Sequence, residues 1–555
     1  MRNSGLLGAS MAMMAAATAL KGAEGVHPIT TLYVDQRAPE GGNGQNWEGA
    51  FRDLQDALNN ATTIVPLGPS WKERLIEIRI AQGTYKPAGP GGDRDRCFEA
   101  SGQPMMSSPV LSLRGSFAGL GAADPDRQDF VSTATVLSGD LNGDDGPGWT
   151  NRGDNSRTIL RVERVLHGYF EAEGIEFRGA SDVGSVGTDK GGAVRLFVTG
   201  FSSGELGQAR ISNCRFAQNE TFTSDGAGLH VVADTLVLDA SEFASNRSVN
   251  GKGGGVFLGS YLPGWASVRG CAFLNNAANH GGGIFLTEMC WVEGSRFLGN
   301  SAARFGGAIY AASDAKLNSV LLVKNSAGLA GGALFSGASE MLGVSMTTFA
   351  SNAAPAGAAI DAQFAPLAMY ASIVWDSRPA VGGHAIDLGF GIFQSWITGA
   401  IIQGGEASIA HEPGSLVLGQ AIVDADPMFI RAGTDTESDW TLWNYRPRFQ
   451  SPAAMMSKEM NGLLQDLDGV NYGCSLPWNS FDAGCYFVDS CVCWANLNSD
   501  WEGLVNDEDF ALFVEAYNTM VTPEALPRAD LNRDGAVDDA DFSLFVAAYD
   551  SLLCS

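Results

Sequence analysis

The feature that most constrains the fold is a pair of short motifs that recurs through the middle of the chain. A phenylalanine or leucine, followed three residues later by asparagine, precedes a glycine-rich tetrapeptide in each copy. The tetrapeptides lie 35, 27, 28, 25, 25 and 26 residues apart. A period of this length indicates a solenoid in which each repeat forms one coil. The asparagine motifs begin at Phe216, Phe243, Phe273, Phe297, Leu322 and Phe349, and the tetrapeptides cover 191–194, 226–229, 253–256, 281–284, 306–309, 331–334 and 357–360.

The stretches between the motifs alternate apolar and polar residues, as in ASVRGCAF (266–273) and CWVEGSRF (290–297). This alternation is typical of strands, and the period is too short for a propeller blade. We therefore predict a parallel β-helix with about three short strands per coil. The motif Phe or Leu and the apolar residue after the glycines should point inward. The asparagines should take a left-handed conformation at a turn and stack their amides, while the glycines allow positive φ and close approach between coils.

The paired motifs resemble the polymorphic outer-membrane protein repeat of right-handed β-helix proteins in the pectate-lyase-like superfamily. Residues 32–61 and 76–87 resemble the entry segment of such proteins, with an amphipathic helix carrying Leu54, Ala57 and Leu58 that would cap the open end. Segments 424–429, 451–456, 466–470 and 481–487 resemble their closing coils. The resemblance implies an all-β, right-handed parallel β-helix solenoid over residues 26–488, with its clearest repeats at 191–360.

The end of the chain contains a duplicated pattern of a different kind. NSDWEGLVNDED (498–509) and DLNRDGAVDDAD (530–541) are each followed by F-x-L-F-V-x-A-Y, which places two aromatic rings and a tyrosine on one helical face. Calcium takes about six or seven oxygen ligands around a tight turn, and both twelve-residue loops offer them. The predicted Ca²⁺ ligands are Asn498, Asp500, Glu502, Leu504 (carbonyl), Asn506 and Asp509 in the first loop, and Asp530, Asn532, Asp534, Ala536 (carbonyl), Asp538 and Asp541 in the second.

The first loop should bind calcium more weakly, because Asn498 and Glu502 replace the aspartates of the second loop. Residues 491–555 hold 13 acidic residues and two arginines, a net charge of −11, so their folding should be coupled to the cation. Aspartate at the twelfth place, the missing incoming helix and the duplication resemble a dockerin. The resemblance implies a small α-helical domain that attaches to a cohesin-like or cell-surface partner. Asp507-Glu508 and Asp539-Ala540, at places ten and eleven, depart from the recognition residues usual in that family.

Residues 1–25 read as a secretory signal peptide: Arg2 precedes an apolar run that ends near a small-residue cleavage site. We therefore expect a secreted or cell-surface protein without a transmembrane span. Some of the nine cysteines should then form disulfides, for example Cys474 with Cys485, and Cys491 or Cys493 with Cys554. The formal charge of −27 argues against nucleic acid as a partner.

The sequence offers no catalytic residue that can be named. The basic residues of the repeats are predicted to be scattered rim charges, and GDLNGDD (139–145) could bind calcium but lacks a closing ligand. We therefore expect a protein for adhesion or for binding a carbohydrate or another partner. The alternative is a lyase or glycosidase for acidic polysaccharide, which clustered cations and carboxylates on one sheet would favour. The basic residues are Arg195, Arg210, Arg269, Arg296 and Lys316, and the loop ligands are Asp140, Asn142 and Asp144.

Overall fold

The structure is a computed structural model that describes most of the chain from residue 30 onward. The described residues are 30–63, 75–101, 110–166, 169–182, 191–199, 207–260, 264–338, 341–388, 394–418, 422–432, 444–447, 451–453, 507–518 and 536–551, together with 467, 484, 485, 497, 529 and 531.

The described strands form four parallel sheets and one antiparallel pair, and the sheets are numbered in the order in which a coil passes through them. Sheet 1 comprises Thr30–Val34, Leu75–Ala81, Val110–Phe117, Tyr169–Glu173, Gln208–Ser212, Thr235–Asp239, Trp265–Arg269, Met289–Glu293, Ala315–Asn318, Leu342–Ser345, Leu367–Tyr370, Ser395–Thr398 and Leu416–Leu418. Sheet 2 comprises Gly83–Tyr85, Thr135–Ser138, Ile175–Arg178, Arg215–Ala217, Glu242–Ala244, Ala272–Leu274, Arg296–Leu298, Leu321–Val323, Thr348–Ala350, Ile373–Trp375 and Ile401–Ile402.

Sheet 3 is shorter and comprises Glu220–Thr221, Arg247–Lys252, Ala277–His280, Ser301–Phe305, Ser326–Ala327, Ala353–Ala354 and Arg378–Pro379. Sheet 4 comprises Phe98–Ser101, Leu160–Leu166, Val194–Thr199, Leu229–Ala233, Val256–Gly259, Ile284–Leu286, Ile309–Ala311, Leu334–Ser336, Ile360–Asp361, Ile386–Asp387 and Ile409–Ala410. Short 3-10 helices lie at Pro147–Trp149 and Gly405–Ser408.

Strands that follow one another along the chain belong to successive sheets, and hydrogen-bonded neighbours within a sheet come from successive coils. The pairing is parallel, and most coils align residue for residue, as between Arg215–Ala217 and Glu242–Ala244. The chain therefore forms a parallel β-helix, which confirms the predicted architecture. The first coils have three strands each, as predicted, whereas seven coils have a fourth strand that belongs to sheet 3. The right-handed winding and the domain boundaries stay predictions.

A column of rings fills the interior behind sheet 2. The rings of Phe177, Phe216, Phe243, Phe273 and Phe297 stack with centroids 4.6–5.0 Å apart and planes within 15° of parallel. Leu322 and Phe349 continue the column in register. The first residues of all six motifs are fully buried, as predicted. Each ring is removed from water by its neighbours in adjacent coils, which makes the column a shared core of the repeats.

A ladder of amides runs beside the rings. Each amide nitrogen donates to the amide oxygen of the next asparagine at 2.9–3.0 Å. The predicted ladder is therefore confirmed, but the left-handed conformation lies one residue earlier than predicted, as at Ser245 (φ 54°) and Ser351 (φ 54°). The chain must bend before the asparagine, because the asparagine backbone N–H also donates to the next amide oxygen. The ladder contains Asn219, Asn246, Asn276, Asn300, Asn325 and Asn352, all fully buried.

The glycine pair has the two predicted roles. Gly281 has a φ of 63°, and a Cβ there would lie 2.3 Å from the carbonyl oxygen of Ile284. A Cβ on Gly282 would lie 2.3 Å from the carbonyl oxygen of Gly307 in the next coil. The first glycine therefore permits the turn, and the second permits the coils to approach.

One helix, α1 (Leu54–Thr63), packs on the first coils. The Asp53 carboxylate accepts a hydrogen bond from the Gln55 backbone N–H at 2.8 Å and so satisfies a free donor at the helix start. Leu54, Ala57 and Leu58 are fully buried in the solenoid core. The Gln55 amide bonds the backbone of Glu99, on the edge strand of sheet 4, in both directions. Capping of the open end stays a prediction that these contacts support.

The described residues of the segments that were expected to form closing coils do not continue the parallel sheets. Phe429–Arg431 and Asn444–Pro447 pair antiparallel. Tyr445, Leu467 and Cys485 pack against the outer face of sheet 2 in place of extending the solenoid. That face accepts them because it is apolar in the later coils, where Leu298, Leu321 and Val323 point outward.

Buried thiols belong to the solenoid core. Cys214 and Cys271 lie at turns between sheets 1 and 2, and Cys290 lies on sheet 1. Burial raises the pKa of the Cys214 and Cys271 thiols to about 12. The predicted disulfides of Cys474, Cys491, Cys493 and Cys554 involve residues outside the described part of the chain.

The tail contains two helices, α2 (Asp507–Tyr517) and α3 (Asp539–Ser551). Their contact centres on Phe513 and Phe545, which are fully buried and stack with ring centroids 4.6 Å apart. Leu497, Ala529 and Val537 complete this small core. Among the described residues, no helix is long and apolar enough to cross a membrane.

Candidate functional site

Sheet 4 carries an ordered column of charged and aromatic side chains on its outer face. Val194, Leu229 and Val256 point into the core, so the residue after each of them points outward. These outward residues pair in register from coil to coil and change from basic to aromatic to acidic along the solenoid. We name this set the sheet-4 column: Arg161, Arg195, His230, Phe257, Phe285, Tyr310, Phe335, Asp361 and Asp387.

The middle of the column is a stack of rings. His230 and Phe257 lie with centroids 4.9 Å apart, and Phe285 and Tyr310 lie 4.6 Å apart. The ring planes of successive members deviate from parallel by 11° to 31°. Their faces are therefore used in contacts with one another. Phe364 meets Phe335 edge-on at the end of the stack and is 52% exposed.

Two cations near the ends of sheet 3 strands lie over aromatic rings, one in the sheet-4 column and one in sheet 3. The Lys252 ammonium lies 4.8 Å from the centre of the Phe285 ring. The Arg304 guanidinium carbon lies 5.5 Å from the ring centre of Phe305. Lys252 and Arg304 are exposed, and within the described part of the chain neither forms an ion pair. Such cation–ring contacts hold the charged groups over apolar surface.

His280 lies between these two cations. Its ring stacks on Phe305 at 5.5 Å and meets Tyr310 edge-on at 5.5 Å. Partial burial, together with Arg304 and Lys252, lowers the pKa of His280. The imidazole is therefore held towards its neutral form by a positive environment. We name Lys252 and Arg304 the sheet-3 cations.

Carboxyl groups lie at both ends of the aromatic stack. Asp361 is fully buried, and its two oxygens accept hydrogen bonds from the backbone and side-chain nitrogens of Gln363 at 3.2 and 3.0 Å. Burial, together with the charge of Asp387 on the next coil, raises the pKa of Asp361 to about 7. At the other end, burial raises the pKa of Asp225, whose carboxylate accepts the Lys252 backbone N–H at 2.7 Å.

The basic residues singled out in the repeats are only partly scattered. Arg210 and Arg269 lie on sheet 1 with Lys316, and Arg296 lies on sheet 2. Arg195 is different, because it belongs to the sheet-4 column next to Arg161. The sequence does contain a signal that predicts most of the column. Each of the seven members from Arg195 to Asp361 is the residue directly after a glycine-rich tetrapeptide. The sheet-3 cations occupy less regular positions, so their approach to the column required the fold.

The loop at 139–145 gains a third carboxylate in the structure. Oxygens of Asp140, Asp144 and Asp154 lie within 4.8 Å of one another. Asn142, the third ligand expected from the sequence, instead uses its side-chain oxygen to accept the Gly91 backbone N–H at 3.0 Å. Both oxygens of Asp140 accept backbone N–H groups of the same loop. These contacts brace the loop around the Asp140 carboxylate.

Four of the predicted calcium ligands lie in the described residues, namely Asp509, Ala536, Asp538 and Asp541. Asp509 and Asp541, the twelfth residues of the two loops, are fully buried near the starts of α2 and α3. The Asp541 carboxylate accepts the Asp538 backbone N–H at 2.9 Å. The predicted ligands outside the described residues are Asn498, Asp500, Glu502, Leu504, Asn506, Asp530, Asn532 and Asp534.

The two units of the tail hold each other reciprocally. The Tyr517 hydroxyl donates to the carboxylate of Asp539, and the Tyr549 hydroxyl donates to that of Asp507. The two aspartates occupy the tenth place of their respective loops, so each unit repeats the contact of the other. The rings on the predicted aromatic face of α2 differ in burial. Phe513 is fully buried in the contact with α3, whereas Phe510 is 39% exposed.

Comparison with known proteins assigns no family to this chain. No protein-family model matches the chain, and no curated protein is similar to it in sequence. Among solved structures, the chain is similar to the crystal structure of pectate lyase Pel9A, with a TM-score of 0.39 and 11% sequence identity. The similarity covers 84% of this chain and 98% of that one. A likeness this weak carries no argument about chemistry.

Proposed function

We propose that the protein is a secreted or cell-surface β-helix protein that binds a carbohydrate or another partner and attaches through a calcium-dependent, dockerin-like tail. The duplicated tail is the observation that carries this proposal. Each unit places a buried aspartate at the twelfth loop position and bonds the other unit through a tyrosine. The solenoid supplies a long, regular surface for binding.

The negative charge of the tail favours the binding of calcium. Burying the Asp509 and Asp541 carboxylates is costly unless positive charge compensates them. The helix starts supply part of that charge. Residues 491–555 contain only two arginines against 13 acidic residues, so the tail as a whole is short of positive charge. A Ca²⁺ ion in each loop would neutralise these carboxylates and hold the helices in place.

The partner surface of the tail should be its exposed apolar side chains. Asp507 and Asp539 are already engaged by the tyrosines, which leaves them little freedom to recognise a partner. Phe510 and Phe542 are each 39% exposed, and Leu544 is 49% exposed. Exposed aromatic and aliphatic groups of this size are typical anchors of protein interfaces. A cohesin-like protein or a cell-surface protein is the partner that this arrangement favours.

Calcium titration of the full chain tests the attachment module. We expect heat of binding in calorimetry and an upward shift of one melting transition, both removed by chelator. Asp541→Asn should abolish binding to the second loop, because it removes the buried charge. Glu515→Gln, at an exposed position of α2, is the matched control and should leave binding unchanged. Identical melting in calcium and in chelator would contradict the proposal.

Cleavage of acidic polysaccharide is the second candidate, since Asp361 and Asp387 bring two carboxyl groups to consecutive coils. Binding is favoured over cleavage because Asp361 is fully buried and both of its oxygens are engaged by Gln363. Incubation with a panel of polysaccharides distinguishes the two. Sustained release of reducing or unsaturated ends would favour the enzyme.

A further inference from the structure

We propose that the aromatic stack of the sheet-4 column and the sheet-3 cations together bind a linear acidic glycan that lies along the solenoid axis, with one carboxylate on every second sugar. This inference rests on the carbohydrate-binding role proposed above and names its site and ligand class. Phe285 and Phe335 are buried within the stack, so the accessible surface consists of the partly exposed rings of the stack and the two exposed cations. These are His230, Phe257, Tyr310, Lys252 and Arg304.

The length of the surface suits an extended chain. Residues of the column pair coil by coil without a register shift from His230 to Phe335. At about 4.8 Å per coil, these five residues span roughly 19 Å. One coil therefore advances by close to the length of one pyranose unit, so successive sugars would meet equivalent positions.

The orientation of the rings favours oxygen-rich ligands. Because the ring faces contact one another, the edges of the stack face away from the sheet. The edge of an aromatic ring is the positive part of its quadrupole. Hydroxyl and carboxylate oxygens therefore meet a favourable surface at Phe257 and Tyr310, both of which are partly exposed. An ordinary sugar-stacking platform would instead expose the ring faces.

The spacing of the cations sets the spacing of the acidic groups. Lys252 pairs with His280, and His280 pairs with Phe305, the neighbour of Arg304. The two permanent cations therefore lie two coils apart, or about 10 Å. A carboxylate on every second sugar would meet each of them in turn, with a neutral sugar beside His280.

Charge at the ends limits what can bind. The molecule carries a formal charge of −27, and Lys252 and Arg304 place two exposed positive charges at the ends of their sheet-3 strands. Asp225 lies at one end of the stack, and Asp361 and Asp387 lie at the other. The two carboxyl groups at the Phe335 end disfavour a polyanion that extends past it, such as nucleic acid, whereas Arg195 adjoins His230 at the other end.

The test is titration of the full chain with three hexasaccharides in low salt. Hyaluronan hexasaccharide has one carboxylate per disaccharide, oligogalacturonate has one on every sugar, and chitohexaose has none. We expect the alternating probe to bind most tightly and to lose roughly tenfold in affinity in 150 mM salt, because two of its contacts are between opposite charges. Binding of the neutral or fully charged probe as tightly as the alternating one would overturn the proposal. Tighter binding of single-stranded DNA would also overturn it.

Substitutions at the proposed site test whether these residues bind the glycan. Lys252→Ala combined with Arg304→Ala, and separately Tyr310→Ala, should each weaken the alternating probe at least tenfold. Lys316→Ala is the matched control, since the Lys316 ammonium lies 5.7 Å from the Trp291 ring centre on sheet 1. Unchanged affinity in the double variant, or equal loss in the control, would refute the site. The calcium titration of the tail is independent, so failure of either proposal leaves the other measurable.

Discussion

Asparagine 300 offers the sharpest test of how the coils are held together. Its amide oxygen accepts hydrogen bonds from the backbone and side-chain nitrogens of Asn276, both at 3.0 Å. Its amide nitrogen donates to the Phe273 carbonyl at 2.9 Å and to the Asn325 amide at 3.0 Å. Asn300→Ala therefore removes four bonds at a fully buried position.

The expected cost follows from those bonds. Four lost hydrogen bonds at about 1 kcal/mol each give about 4 kcal/mol. The Asn276 backbone N–H also loses its acceptor, which adds about 1 kcal/mol or more for a buried donor. We expect Asn300→Ala to destabilise the surrounding coils by about 5 kcal/mol.

Denaturant unfolding, combined with hydrogen exchange of residues 273–325, measures this effect. Exchange is needed because coils of a solenoid can open locally without global unfolding. Asn318→Ala is the control: Asn318 is partly exposed and accepts a single bond from the Ser345 hydroxyl at 3.0 Å. If Asn300→Ala costs no more than Asn318→Ala, the amide ladder does not hold the coils together.

Two further predictions concern charge and symmetry. Asp361 keeps its proton to about pH 7 in the folded protein, whereas an aspartate in the unfolded chain loses its proton near pH 4. The free energy of unfolding should therefore fall as the pH rises between these two values, by at most about 4 kcal/mol. Asp361→Asn should remove this loss in melting curves recorded from pH 4 to 8, and an unchanged pH profile would contradict the burial argument. In the tail, Tyr517→Phe and Tyr549→Phe should lower the calcium-loaded melting temperature by similar amounts, because each removes the same reciprocal bond. A large effect from one tyrosine and none from the other would show that the two units are not equivalent.

The sequence was sufficient to predict the β-helix, the ring column and the amide ladder. Each depends on a side chain that recurs at one place in every coil, and in-register parallel pairing converts that recurrence into a spatial column. Phe243 and Asn246 therefore predict their own neighbours, Phe273 and Asn276. The helical spacing of Leu54, Ala57 and Leu58 likewise predicted which face of α1 is buried in the core.

Only the tertiary structure decided what depends on contacts between unlike segments. The repeat period could not indicate that Tyr445 and Cys485 would cover sheet 2, because that contact depends on an apolar outer face in the later coils. It could not bring the sheet-3 cations beside the sheet-4 column either, since Lys252 and Arg304 occupy irregular positions in their strands. The reciprocal bonds from Tyr517 to Asp539 and from Tyr549 to Asp507 likewise depend on how two helices dock. Repetition within the chain fixes what stacks along the axis, whereas the surface contacts are set by side chains that meet only once the chain has folded.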